Sequence, residues 1–272
     1  MGQTVEISSW EELLKEVYRD TWDSDLRRYR SSWVFRGVDF RESALLTGLS
    51  RLAPATDEAG RLERHLLRNF RKYASAEFPG PASDWRWLPF AQHHGLPTRL
   101  LDWTFSPLVA FHFATQNADC FDRDGVVWCI NHHYSNGFLP DSLKRRLEEE
   151  GADVFTAEML DGVSSGLEEF DKLAETPYLL FLEPPSLDVR IANQFALFSL
   201  ISSPNAGLPE WLAKHPDAAR EIVVAKSAKQ EIRDKLDQAG ITERTIYPGP
   251  DGIARWLSRY YRPTPASPDK SK

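Results

Sequence analysis

Cysteine is nearly absent from this sequence: Cys120 and Cys129 are the only two, and neither stands in a Cys-x-x-Cys or comparable spacing. No zinc site is therefore expected, and no metal at all. Long apolar runs are also missing, since nothing approaches the ~20 consecutive apolar residues that a membrane-spanning helix needs. The opening MGQTVEISSW lacks the basic start and apolar stretch of a secretory leader, and Glu6 occupies the place where a myristoylation signal carries Ser or Thr. The expectation is a cytoplasmic protein with no membrane partner. Positive charge is not in excess either. With 33 Lys and Arg against 40 Asp and Glu, the net charge is −7. That excludes a surface that coats nucleic acid by neutralising many phosphates at once, although a local basic patch stays open.

What is present describes an ordinary globular chain. Hydrophobic residues make up 42% and charged residues 27%, and nine tryptophans are available for a core or a pocket. Trp33, Trp85, Trp87 and Trp103 are expected in the core. A length of 272 residues suits one domain, spanning 1–261, with a strand-helix extension over about 1–30. The Pro-, Ser- and Lys-rich end, 262–272, reads as a disordered tail. The oligomeric state is left open.

Local signals place the elements. TVEISS reads as a strand and Ser9, with Glu12 three residues on, as the start of a helix. Trp33-Val34-Phe35 reads as a buried strand ending in a turn at Gly37, which puts Arg36 at a strand end. Residues 57–78 have helical periodicity, so the basic stretch RLERHLLRNFRK reads as the solvated face of an amphipathic helix. A second helix over 84–94 stops at Gly95 and Pro97. A short extended TRLLDW follows, and then Ser106 and Pro107 as the N-cap and first residue of another helix. This puts Asp102 in the link between strand and helix. GVVWCINH, YLLFLEPP and REIVVAKSA read as further strands, SSGLEEFDKLAETP as a polar surface segment, and AKQEIRDKLDQAG and DGIARWLSRYY as helices. Strands and helices are interspersed without strict alternation, which predicts an α+β fold: a central mixed, mainly antiparallel sheet surrounded by helices.

HHGLPTRLLDW, residues 93–103, places two histidines, an arginine and an aspartate among apolar residues, where unpaired charge is costly. An arginine fork suits a phosphate or a carboxylate, and Arg36 and Arg99 are two such forks. Asp102 could hold either guanidinium or orient a histidine. The helix start at Ser106 offers N–H groups to an anion. A salt bridge fixing strand register, with the histidines capping carbonyls, is the structural alternative.

The segments VFRG (34–37), QHHGLPTRLLDWTFSPLVAFHFA (92–114) and RIANQFALFSL (190–200) together resemble the FRG domain, and GITERTIYPGPDGIARWL resembles its end. Ala196 departs from the glycine that family members often carry there. A weaker resemblance is to ADP-ribosyltransferases of the arginine-serine-glutamate type. Arg36 matches their nucleotide-binding arginine, and Thr104 and Ser106 stand where hydroxyls are expected. That resemblance implies an ADP-ribosyltransferase-like fold and NAD as substrate. The catalytic glutamate has no clear counterpart; Gln194 is the nearest polar residue, and Glu183, ending an apolar strand, is the best carboxylate. The site implied has Gln194, Glu183 and His94 as catalytic candidates, and Arg36, Gly37, His93, Arg99, Asp102, Thr104 and Ser106 around the nucleotide. Three readings follow: an NAD-acting transferase, a non-catalytic module for a phosphate-bearing ligand or nucleic-acid end, and a metal-assisted hydrolase using His93, His94 and Asp102. A protein or nucleic-acid target, and a setting in bacterial or phage conflict systems, would suit the first.

Overall fold

In the computed structural model, residues 2–40, 45–53, 58–78, 83–184 and 189–262 are described. Among the described residues, nine strands lie among helices of unequal length: β1 (Gln3–Ile7), β2 (Trp22–Asp23), β3 (Arg28–Tyr29), β4 (Trp33–Val38), β5 (Leu101–Thr104), β6 (Gly125–Asn131), β7 (Leu179–Leu182), β8 (Ala196–Ile201) and β9 (Ala219–Val224). Seven form one sheet in the order β1-β9-β6-β4-β5-β8-β7, and β2 and β3 make a small ribbon apart from it. Only β1 and β9 pair parallel; the other pairs of the large sheet are antiparallel. The fold is therefore α+β with a mixed, mainly antiparallel sheet, as the interspersed pattern predicts. The N-terminal strand-helix segment is built into it, because β1 is an edge strand of the main sheet.

The local signals act as their chemistry dictates. Ser9 accepts from the Glu12 N–H to cap the helix Trp10–Val17, and Ser106 accepts from Val109 to cap Pro107–Ala114. The helix Asp84–His93 ends where Gly95 takes φ +86°, a left-handed conformation that costs glycine nothing. The helix expected over 57–78 runs from Ala59 to Ala74. The segment read as polar surface exposes Glu168, Glu169 and Glu175 but buries Leu167 and Phe170 in a short helix, with the Phe170 ring inserted beside Trp85 and Tyr178. Residues 263–272, most of the expected tail, lie outside the described residues.

Two apolar clusters cover the same face of the sheet at different places. Ile7, Leu13, Phe35, Phe111, Val127 and Ile232 join the helices Trp10–Val17, Pro107–Ala114 and Lys229–Gln238 to β1, β4, β6 and β9. Trp85, Leu88, Phe170, Leu180, Phe198 and Leu200 join Asp84–His93 to β7 and β8. Directly paired residues share a face, and the pairs Phe35–Thr104 and Asp102–Phe198 put both clusters on one side. Between them, over β4, β5 and β8, lies the gap that becomes the site. Val34, Leu101, Trp103, Leu197 and Trp211 fill the opposite face. Of the four expected core tryptophans, Trp85, Trp87 and Trp103 are buried, whereas Trp33 is half-buried under the Arg220 guanidinium.

Two buried histidines make the fold acid-sensitive. His112 is fully buried, its Nδ1 accepting from Arg233 Nη1 at 2.7 Å, and burial together with the Arg233 charge pushes its pKa down to about 3. His132 is pushed down to about 4 by burial, with the neighbouring His133 adding to it. An unfolded histidine titrates near 6.5, so on acidification the unfolded chain takes up these protons first. Stability is thus complete above about pH 6.5 and falls as the pH drops toward 4 and then 3, by about 1.4 kcal/mol per histidine per pH unit. Urea unfolding near pH 7.5 and near pH 5 is expected to differ by a few kcal/mol; equal free energies would contradict this account.

Candidate functional site

The gap between the clusters is a cavity of about 340 Å³ lined by Phe35, Arg36, Gly37, Gln92, His93, Asp102, Trp103, Thr104, Phe113, Arg190, Ile191, Gln194, Ala196 and Phe198. Arg36 lies within β4, not at its end, and Asp102 lies within β5, not in a link. The two corrections have separate causes: Asp102 stays in its strand because it pairs with Phe198 of β8, and Arg36 stays in its strand because of the next residue. Gly37 makes no turn: it continues the strand, because the helix Pro107–Ala114 crosses so closely that a Cβ at Gly37 would sit 1.7 Å from the Ala110 carbonyl oxygen. β4 and β5 share a single registered pair, Phe35 with Thr104. Beyond it the Asp102 carbonyl accepts from Arg36 Nη1 at 2.9 Å, and Asp102 Oδ2 stands 3.9 Å from the same nitrogen. Burial draws the Arg36 pKa below the ordinary guanidinium value, with Asp102 opposing. Asp102 is the one carboxylate among the described residues of the lining. Its side chain is 63% exposed, and Gln92 Nε2 approaches both of its oxygens at 3.4 Å.

The opposite lip is the segment from Arg190 to Ala196. Thr104 Oγ1 donates to the Gln194 carbonyl at 2.6 Å and accepts from the Ser106 N–H, so this hydroxyl positions the lip. The Gln194 amide donates to the Ile246 carbonyl at 3.2 Å, and Asn193 to that of Thr245 at 2.7 Å. Phe195 takes φ +48° and is 56% exposed. A bulky residue there is strained, and the turn is held by Phe105 N–H donating to the Phe195 carbonyl. The left-handed residue precedes Ala196, which is an ordinary strand residue paired with Thr104.

Of the residues expected at the site, Arg36, Gly37, His93, Asp102, Thr104 and Gln194 come together, and four do not. Arg99 is buried in an ion triad: its Nε donates to both Glu63 oxygens at 2.9 and 2.8 Å, and Nη1 to Asp171 at 2.6 Å. Burial opposes its charge, but the two carboxylates outweigh that and hold its pKa above the ordinary value. It borders a different cavity, beside Leu101 and Ser199, which alternation turns away from Asp102 and Phe198. His94 caps its helix and packs on Phe90, its ring centroid 4.6 Å away, while His93 reaches the cavity; adjacent helical residues point about 100° apart. Ser106 spends its side chain on its own helix cap. Glu183 follows β7, the outermost strand next to β8, with its N–H donated to Phe155 and burial raising its pKa; it does not line the cavity. Among the described residues no group of three or more His, Cys, Asp or Glu is arranged to hold a metal ion, and no helix is long and apolar enough to cross a membrane.

Sequence reasoning missed Gln92 and Arg190. Arg190 stands four residues before Gln194, one helical turn, so the two share a face of the short helix Val189–Asn193 and its cap. That spacing was the available signal.

Two guanidinium groups, a carboxylate and two amides around an aromatic-lined hollow define a polar-ligand cavity on an α+β sheet. Residues 31–123 match the model of the FRG domain family, and Arg36, Gly37, Gln92, His93, Asp102, Thr104 and Phe113 all lie inside the matched span. The Gln194 lip and the C-terminal helices lie beyond it. No curated protein and no solved structure matches the chain.

Proposed function

We propose that the cavity binds the phosphate-bearing part of a nucleotide, with NAD as the ligand and ADP-ribosyl transfer as the chemistry. The observation that carries this reading is the placement of Arg36 and Asp102 in one hollow. A guanidinium fork fits a phosphate bidentately, and an adjacent carboxylate favours positive charge developing on a ribosyl carbon. The cavity is at the small end of the ~300–1,000 Å³ typical of ligand sites, so it suits one nucleotide half, with the remainder passing Arg190 at the lip. Gln194 takes the place of a glutamate in this reading, and Asp102, steadied by Gln92, takes the charge-stabilising role instead of Glu183. As the ribose–nicotinamide bond breaks, its electron pair leaves with nicotinamide, and the acceptor's proton passes to Asp102 as the new bond to ribose forms.

Release of nicotinamide from NAD, followed by mass spectrometry, tests the reading. Asp102→Asn is expected to slow it by about 10²–10³, the usual cost of removing one preorganised charge-stabilising group, while Glu183→Gln leaves it unchanged. A non-catalytic module is the second reading, favoured by the 3.9 Å approach of Asp102 to Arg36, which ties the carboxylate to a structural partner. Tight NAD binding without nicotinamide release would decide for the module.

A further inference from the structure

Beyond the cavity lip, arginines and aromatic rings alternate along the surface. Arg190 lines the cavity and also lies over the Tyr247 ring at 5.2 Å, and Arg255 lies over that same ring at 4.6 Å. The next residue of the helix Pro250–Tyr260 is Trp256, with Arg244 over its ring at 4.3 Å and Tyr260 at a centroid distance of 5.1 Å. Tyr261 follows Tyr260 at 5.3 Å. Tyr260 and Tyr261 are 59% and 75% exposed, and Arg190, Arg244 and Arg255 are all exposed. Among the described residues these three arginines make no ion pair. Arg259 and Arg262 nearby behave differently: Arg259 is neutralised by Asp237 and Glu243, and Arg262 by Asp119. In a chain of net charge −7, three exposed guanidiniums without an ion pair among the described residues, set over the half-buried rings of Tyr247 and Trp256 and beside the exposed Tyr260 and Tyr261, are a local exception to the acidic surface.

We propose that this surface, from the cavity mouth over Tyr247 to Tyr260, is a docking track for single-stranded nucleic acid. Its arginines meet the phosphates, and its exposed rings stack bases. An acidic peptide would satisfy the charges but leave the flat faces unused, and a duplex hides the base faces that Tyr260 and Tyr261 would stack. The net negative charge of the remaining surface limits the contact to a few phosphates. Only Arg190 is shared with the cavity, so binding of NAD and binding of a strand are read independently.

The test is fluorescence anisotropy of the intact protein with a labelled single strand of about ten nucleotides. Between about 50 and 200 mM salt, three phosphate contacts predict a slope of log K against log salt near −2, and Arg244→Ala or Arg255→Ala should each reduce it by about 0.7. Tyr260→Ala is expected to weaken binding about tenfold, and Tyr260→Phe to restore it, since stacking needs the ring and not the hydroxyl. Both tyrosine variants alter an exposed side chain, and circular dichroism of each verifies the fold. No binding at low salt, equal affinity for a duplex of the same length, equal displacement by a poly-glutamate peptide, or indifference to Tyr260→Ala would each overturn the proposal.

Discussion

Gly37→Ala is expected to cost the protein at least about 3 kcal/mol and to lower its melting temperature. The added methyl would lie 1.7 Å from the Ala110 carbonyl oxygen and 2.7 Å from its carbon. Backbone atoms of a buried helix cannot swing away as a side-chain tip can. The helix Pro107–Ala114 would have to lift off β4, opening the packing of Phe35, Ala110 and Phe111. Overpacking by a methylene ordinarily costs about 1–3 kcal/mol, and an overlap this deep with main chain lies at or beyond the top of that range. At about 2–4 °C per kcal/mol for a domain of this size, thermal unfolding should fall by roughly 10 °C. An unchanged melting temperature would mean that the strand and helix are not apposed in this way.

Arg99→Ala should be comparably damaging for a different reason. The substitution strands Glu63, which is 2% exposed, and Asp171 without their partner. Removing one member of a buried ion pair costs about 3–5 kcal/mol, because the charge left behind is desolvated and unpaired. Arg99→Lys should recover only part of this, since one ammonium cannot supply the bonds that the guanidinium divides between two carboxylates. Whatever fraction stays folded should bind ligand as the wild type does. Chemical denaturation gives the first quantity and titration of the folded protein the second. A variant of Arg99 that folds normally but has lost ligand affinity would place it back at the site.

The contrast between Arg36 and Arg99 also shows what the sequence could and could not reveal. Ser9, Ser106 with Pro107, and Gly95 act on neighbours within a few residues, so their roles were legible and hold. The sheet class followed from interspersed apolar runs. Arg99, by contrast, is tied to a residue 36 positions earlier and another 72 later, and no local pattern encodes such partners. Gly37 looked like a turn because glycine before a polar stretch commonly is one; its true constraint is a helix some seventy residues on, where only a missing side chain allows contact. Leu167 and Phe170 were hidden among acidic neighbours and emerged as core only through Trp85 and Tyr178. For Glu183, the end of an apolar strand was readable, but not that this strand lies at the sheet's edge, next to β8 and away from the cavity lining.

The central claim is that Arg36 is held in the cavity to meet a phosphate. Calorimetric titration with ADP-ribose of wild type, Arg36→Ala and Arg36→Lys tests it most directly. Charge-assisted hydrogen bonds are worth about 1.5–3 kcal/mol each, so Arg36→Ala should weaken binding by about 10- to 150-fold, with Arg36→Lys intermediate because a point charge lacks the bidentate fork. Equal affinity of all three proteins, or no heat of binding from wild type, would contradict the account and leave the Arg36–Asp102 contact as scaffolding between β4 and β5.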